Sequence, residues 1–109
     1  RIVSTEGTAR TLRGGNVRCE VVRKISEPHP NVGDMISNGE IVLIVNTPYG
    51  SETRGDGYFM RTEAVKHGVT CVTALSGASA FTAALEALDE NPYGLPVIAL
   101  QDLPQYEVK

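Results

Sequence analysis

The most constraining feature of this 109-residue sequence is the apolar run Ile41–Val45. Four of its five residues are β-branched, and a short run of this kind is typical of a strand covered on both faces. Strands covered on both faces occur mostly in parallel sheets that carry helices on each side. The run therefore predicts an α/β fold.

Strand-like and helix-like segments alternate along the rest of the chain. The other strands are predicted at 1–4, 19–25, 70–74 and 97–100. Because short buried strands alternate with helices, we expect a parallel sheet with helices on both faces. The chain opens inside a strand, so a preceding strand and helix are expected upstream.

Apolar spacing and glycine positions place the helices between these strands. Glycines are expected to end the first three helices, with Gly39 as a C-terminal cap of the second. The helices are predicted around Ala9 and Leu12, over Val32, Met35 and Ile36, from residue 56 or 57 to about 67, and from Ser76 to about 90.

Composition and charge exclude several classes of protein. A chain of 109 residues, 41% hydrophobic and 21% charged, fits one globular domain over 1–109 with a tail at 91–109. The net charge of −3 argues against nucleic-acid binding. No apolar run approaches the roughly 20 residues that cross a membrane. Cys19 and Cys71 match no metal spacing and are expected to be reduced, buried thiols of a cytoplasmic protein.

Polar loops after the strands form the candidate site, because parallel α/β sheets bind ligands beyond the carboxyl ends of their strands. Thr5, Gly7 and Thr8 open the first helix, where hydroxyl and N–H groups can hold a phosphate. The alternative is an ordinary helix cap and turn. Lys24 ends the second strand and can neutralise a phosphate, or it is simply a solvated surface lysine.

The next two strands end in further polar residues. Asn46 and Thr47 follow the central run and can hydrogen-bond a base or a ribose, although a turn-forming asparagine is the alternative. Thr73 and Ser76 follow the fourth strand and can contact an anion or a sugar. Four polar turns at one edge of the sheet predict a site for a small ligand.

Catalytic groups are sparse in this sequence. His67 is expected at a helix C-terminus, where a partly cationic ring is favourable. His29 lies between two prolines in a loop, with a base role as its alternative. No Ser-His-Asp order, metal spacing or Walker-type glycine loop is present. We therefore expect a binding domain without catalytic residues, bound metal or a cofactor of its own.

Five segments in this order and spacing carry a resemblance that covers about Ile2 to Leu88. They are Thr5-Glu6-Gly7-Thr8-Ala9, Val22-Arg23-Lys24-Ile25-Ser26-Glu27, Ile36-Ser37-Asn38-Gly39-Glu40-Ile41, Ile44-Val45-Asn46-Thr47-Pro48, and Asp56-Gly57-Tyr58 before Arg61. The sequence resembles the methylglyoxal-synthase-like domain, in the version found in the carbamoyl-phosphate synthase large subunit.

The resemblance implies a flavodoxin-like three-layer αβα sandwich whose first, central strand and first helix precede Arg1. Methylglyoxal synthases of this family carry a Gly-Gly-Asp motif after the second strand, where this chain has Ser26 to Asn31, and Thr47 replaces a second acidic residue. The Lys-Thr-Leu-His-Pro segment of the IMP cyclohydrolase branch is absent as well. The synthase branch therefore matches best.

In that branch the domain senses UMP, and in some members IMP, while ornithine activates at the boundary with the neighbouring domain. Thr5, Thr8 and Lys24 resemble the phosphate-binding residues, and Asn46 with Thr47 the polar contacts further along. Pro48 and Ser51 differ from the threonine and arginine of the family's loop, and Arg54 is the candidate to replace that arginine. Three additional candidates for the effector-binding site are Arg54, Thr73 and Ser76.

The resemblance also implies a parent enzyme and its partners. The parent is a glutamine-dependent ligase that uses ATP with Mg or Mn to make carbamoyl phosphate for pyrimidine and arginine synthesis. Its glutaminase small subunit and the rest of the large subunit would be partners, in an oligomer. The alternatives are a lyase acting on dihydroxyacetone phosphate, and a stand-alone nucleotide-binding module that docks through the tail from Gly94 to Lys109.

Overall fold

The structure is a computed structural model that describes residues 1–47 and 54–105. The chain divides into two compact units, Arg1–Leu75 and Ser76–Lys109. All the strands of the described residues belong to the first unit, where they form two separate two-stranded sheets and not the single sheet that the sequence predicts. None of the described helices combines the length and the apolar character needed to cross a membrane.

Four short strands form two parallel pairs. Strand β1 (Val3–Ser4) pairs with β2 (Glu20–Val21), and β3 (Leu43–Val45) pairs with β4 (Thr70–Val72). In register, Ser4 lies opposite Val21, and Val45 lies opposite Val72. Parallel strands alternating with helices confirm the α/β, flavodoxin-like fold class, although each strand is shorter than predicted.

Helices follow the strands as the spacing predicts. They are α1 (Glu6–Gly14), α2 (Val32–Ser37), α3 (Arg54–Lys66) and α4 (Leu75–Glu90), and a 3₁₀ helix spans Leu100–Gln105. Gly39 and Gly68 follow α2 and α3 with φ of 74° and 66°, a left-handed conformation that glycine adopts without steric cost. Both glycines end their helices, as the sequence predicts.

The core of the first unit lies between β3 and the two helices α2 and α3. Its buried members are Ile36 from α2, Ile44 from β3 and Ala64 from α3. Around them pack the partly buried side chains of Val32, Ile41, Met60, Val69 and Cys71. The buried face of α2 and the centre of β3 therefore belong to one core.

The prediction that Ile41–Val45 is a strand covered on both faces is wrong for the described residues. The strand begins only at Leu43, and Val42 is 84% exposed. Ile44 points into the core, whereas Val45, which points to the opposite face, is 54% exposed. The described helices α2 and α3 bury only the face that carries Ile44.

The predicted strand at 97–100 is also wrong. Residues 97–99 have no regular structure, and the 3₁₀ helix begins at Leu100. Val97 is 95% exposed. A strand needs a neighbour to complete its hydrogen bonds, and among the described residues none pairs with this segment. Pro96 also lacks the N–H that a ladder would use.

Candidate functional site

The N-terminus of α1 is open to a ligand. Thr5 is the residue that caps it, with extended backbone angles, and its side chain makes no capping hydrogen bond. The first N–H groups of a helix have no partner within the helix. A β-carbon built on Gly7 would meet no atom within 4 Å, so the space beside this turn is free. Backbone donors and the dipole there favour an anion.

Lys24 lies in the loop after β2, the strand that pairs with β1. Because Ser4 and Val21 are opposite each other, the loop that holds Thr5 and the loop that holds Lys24 leave the same edge of the sheet. The Lys24 backbone N–H donates to Oε2 of Glu27 at 2.6 Å, and Glu27 N–H donates to the Lys24 carbonyl at 2.9 Å. This tight turn leaves the Lys24 residue exposed to solvent.

Asn46 and Thr47 follow β3 at the carboxyl edge of the second strand pair. The Asn46 N–H donates to the carbonyl of Val72 at 2.9 Å, which extends the pairing by one bond beyond the strands. Its side-chain Nδ2 is buried and has no hydrogen-bond partner among the described residues. Thr47 is exposed, as is Thr73 after β4. The second strand pair therefore brings Asn46 and Thr73 to one edge.

Ser76 and Arg54 are the two remaining predicted site residues. Ser76 lies in the second compact unit, whereas the other candidates lie in the first. Arg54 begins α3, but its side chain is outside the described residues, as are Pro48 and Ser51. Residues 48–53, between Thr47 and α3, lie outside the described residues as well.

A network of hydrogen bonds that the sequence analysis missed organises the loop before α2. Nδ1 of His29 lies 2.8 Å from Oδ2 of Asp34, which also accepts from the N–H of Asn31 at 2.7 Å. The Asn31 side chain in turn accepts from the N–H groups of Gly33 and Asp34. Asn31 and Asp34 form a reciprocal capping box at the start of α2. The Asn-x-x-Asp spacing before an apolar run was the signal that could have revealed it.

A cavity of about 400 Å³ lies beside this network, between α2 and α3. His29, Asp34, Phe59 and Glu63 contribute to its walls. Both carboxylates already have partners, since Asp34 bonds His29 and Asn31 while Glu63 Oε1 lies 3.0 Å from Nζ of Lys66. Among the described residues no group of three or more His, Cys, Asp and Glu side chains is arranged to hold a metal ion.

The Asp34 carboxylate should make stability depend on pH. The hydrogen bond from His29, and then that from the Asn31 N–H, hold the pKa of Asp34 below its usual value. Its contribution is therefore present above the unfolded pKa of about 3.9 and is lost as pH falls through the lower, folded pKa. We expect the difference in unfolding free energy between the unaltered protein and Asp34→Asn to shrink as the pH falls below about 5.

Urea denaturation of both proteins at a series of pH values between about 2 and 7 measures this difference. Glu6→Gln is the matched control, because Glu6 reaches only Arg10, at 3.8 Å on the surface of α1. A pH-independent difference for Asp34→Asn, or an equal pH dependence for Glu6→Gln, would contradict the role given to the capping carboxylate.

Comparison with known proteins places this arrangement in a family. The sequence model of the MGS-like domain matches residues 1–73. The chain belongs to the MGS-like domain family. The match includes the loops that hold Thr5 to Thr8, Lys24 and Asn46, and it ends at Thr73, before Ser76.

Curated relatives of this MGS-like domain are large chains of one enzyme. The chain is 45% identical over 103 residues to the "Carbamoyl phosphate synthase large chain, C-terminal section" of Methanopyrus kandleri, covering 94% of this chain and 19% of that protein. It is 47% identical over 88 residues to the carbamoyl phosphate synthase large chain of Methanothermobacter thermautotrophicus, covering 81% and 8%. For the large chain of Xylella fastidiosa the identity is 42% over 102 residues, covering 94% and 9%.

These matches confirm the resemblance found in the sequence. The chain spans less than a fifth of the length of the curated relatives described above. The MGS-like domain is therefore a small part of each of those proteins.

Proposed function

We propose that this MGS-like domain is the effector-binding, regulatory part of a carbamoyl phosphate synthase large chain, and that its effector is UMP or a related nucleotide such as IMP. The observation that carries the proposal is the open N-terminus of α1 beside the Lys24 loop. Thr5 leaves the first turn uncapped, and the pairing of Ser4 with Val21 brings Lys24 to the same edge. A phosphate suits this combination of helix N–H groups, hydroxyls and one cation.

The role of each residue follows from the strand pair at whose carboxyl end it lies. Thr5, Gly7 and Thr8 would receive the phosphate, with Lys24 as its counter-charge. Asn46, Thr47 and Thr73 would meet the ribose or the base at the second strand pair. Regulation then follows from linkage, because a nucleotide that binds one conformation better increases the population of that conformation, with a coupling of about 1–3 kcal/mol.

The surroundings of the domain are part of the same proposal. The parent protein would be a glutamine-dependent ligase that uses ATP with Mg or Mn and supplies carbamoyl phosphate to pyrimidine and arginine synthesis in the cytoplasm. The rest of the large chain and a glutaminase small subunit would be its partners in an oligomer, with ornithine as a second effector. The relatives named above support the synthase, since each is a carbamoyl phosphate synthase large chain or the C-terminal section of one.

A lyase acting on dihydroxyacetone phosphate is the alternative in another class. It would need a free carboxylate after the second strand to remove a proton. Asp34, the carboxylate that does lie near this loop, is occupied by His29 and by the N–H of Asn31. A carboxylate with a lowered pKa that is engaged in a helix cap is a weak base. This occupancy favours binding without catalysis.

Binding of UMP is the direct test. Isothermal titration of the protein with UMP should show saturable binding, and Thr8→Ala or Lys24→Ala should each weaken it roughly tenfold, because one charge-assisted hydrogen bond contributes about 1.5 kcal/mol. Thr11→Ala and Lys66→Ala are matched controls. Thr11 faces the Gly7 carbonyl on the exposed side of α1, and Lys66 pairs with Glu63 at the far end of α3.

Three results would contradict the proposal. They are the absence of binding of UMP and IMP at millimolar concentration, an equal loss of affinity in the control variants, and release of methylglyoxal from dihydroxyacetone phosphate. The last result would favour the lyase instead.

A further inference from the structure

Lys24, the proposed counter-charge, lies in a loop whose backbone is held on both sides of that residue. On one side, the carbonyl of Arg23 accepts from the N–H of Val32, the first residue of α2, at 2.9 Å. On the other side, a β-carbon built on Gly33 would lie 3.1 Å from Cγ1 of Ile25, so the Ile25 side chain packs closely against the first turn of α2. The residues before and after Lys24 are therefore both held by the start of α2.

Two side chains close this loop around Lys24. Oε2 of Glu27 accepts from the backbone N–H of Lys24 at 2.6 Å, and short bonds of this kind are typical of an ionised acceptor. Nδ2 of Asn31 donates to the carbonyls of Glu27 and Ile25, at 2.9 and 3.4 Å. Asn31 is buried in the cap of α2, whereas Glu27 is exposed. Asn31 and Glu27 thus join the start of α2 to the backbone of Lys24.

The ammonium group of Lys24 has no ion-pair partner among the residues that the structure describes. The neighbouring carboxylate of Glu27 accepts from the backbone N–H of Lys24 instead. A loop that must be ordered when a ligand binds costs conformational entropy, and a loop that is already held avoids this cost. A fixed backbone with an uncommitted ammonium group therefore suits the recognition of a phosphate.

We infer that Glu27 and Asn31 are positioning residues, which hold Lys24 in place for the phosphate of the nucleotide. The inference rests on the proposed function and adds to it two residues that act on the ligand through Lys24. The charge and the hydrogen bond of Glu27 affect affinity with opposite signs. Its negative charge beside a phosphate site repels the ligand, whereas its bond to the Lys24 N–H favours binding. Removing the Glu27 carboxylate therefore weakens binding only if the positioning effect is the larger one.

Isothermal titration of the protein with UMP measures this sign. Glu27→Ala should weaken UMP severalfold, and by no more than the roughly tenfold expected of Lys24→Ala, because its effect passes through Lys24. Glu27→Gln keeps an acceptor oxygen at the same length and should recover most of the affinity. Glu40→Ala is the matched control, because it also removes an exposed carboxylate, one that lies 3.9 Å from Arg1, and it should leave the affinity unchanged.

A double variant distinguishes positioning from a general loss of structure. In a protein that already carries Lys24→Ala, Glu27→Ala should not weaken UMP further, since no ammonium group remains to be positioned. Amide hydrogen exchange without ligand should show the Lys24 N–H exchanging faster in Glu27→Ala than in the unaltered protein, because its acceptor is lost. Thermal melting of each variant shows whether the fold is retained.

The outcomes separate this inference from the proposed function. If Lys24→Ala weakens UMP while Glu27→Ala leaves it unchanged or tightens it, the positioning role is wrong and the phosphate site stands. A further loss of affinity in the double variant, equal to that of Glu27→Ala alone, would also overturn the positioning role. If the unaltered protein does not bind UMP, or if its binding does not depend on Lys24, the proposed phosphate site fails and this inference fails with it.

Discussion

Replacing Ile36 with alanine should lower the free energy of unfolding by about 3 kcal/mol, because Ile36 lies in the core of the first unit. Ile36 lies in the core between β3, α2 and α3 and is the largest fully buried side chain among the described residues. Truncation removes apolar area from this core and leaves a cavity, because the surrounding helices relax only in part. Domains of this size have only about 5–15 kcal/mol of stability in total.

Urea denaturation measures the loss, provided that the slope of the unfolding transition is unchanged. Val65→Ala is the matched control, since Val65 also comes from a helix of the first unit but is 82% exposed. The control should change stability by less than about 0.5 kcal/mol. A comparable loss in the two variants would show that the contacts between α2, β3 and α3 do not form the core of the unit.

Helix positions could be predicted well from this sequence because their signals are local. Glycine is the residue that takes a positive φ without steric cost, so Gly39 and Gly68 marked the ends of α2 and α3 independently of any tertiary contact. The spacing of Val32, Met35 and Ile36 likewise identified the buried face of α2. The start of the same helix at Val32 was predicted too, but the capping box of Asn31 and Asp34 that fixes it was not, although its spacing is also a local signal.

Strands were harder to predict because their environment is not local. The apolar run Ile41–Val45 indicated burial on both faces, but burial depends on which elements pack on each side. In the described residues α2 and α3 cover the face of Ile44 and leave Val45 half exposed. The segment at 97–100 shows the same limit, since its composition suits a strand and no described strand pairs with it.

The candidate site was predictable where it depends on topology and unpredictable where it depends on side-chain geometry. The rule that parallel strands end at one edge indicated the loops of Thr5, Lys24 and Asn46. The rule gives no place to Glu63, which comes from α3 and lines the cavity beside Asp34 through the packing of α3 against α2. Side chains that arrive from a helix face require the packing angle between helix and sheet, which a single sequence does not supply.

Replacing Asn31 with alanine should cost about 2.5 kcal/mol of stability, more than an ordinary helix cap, because this side chain bonds on both sides. Asn31 is 3% exposed. Its Oδ1 accepts from the N–H of Gly33 at 2.9 Å, and its Nδ2 donates to the carbonyl of Glu27 at 2.9 Å. Alanine would leave these buried groups without partners, which costs more than the bonds themselves contribute.

One further variant separates the contribution of the capping oxygen of Asn31 from that of its donor to the Glu27 carbonyl, and a second serves as a control. Asn31→Asp keeps the capping oxygen and loses the donor to Glu27, so its loss of stability should fall between those of the unaltered protein and Asn31→Ala. Asn38→Ala is the control, because Asn38 is exposed at the other end of the same helix. Urea denaturation of the three variants gives their order. If Asn31→Asp were as unstable as Asn31→Ala, the capping oxygen would contribute nothing, and the bond to the Glu27 carbonyl alone would position the loop that carries Lys24.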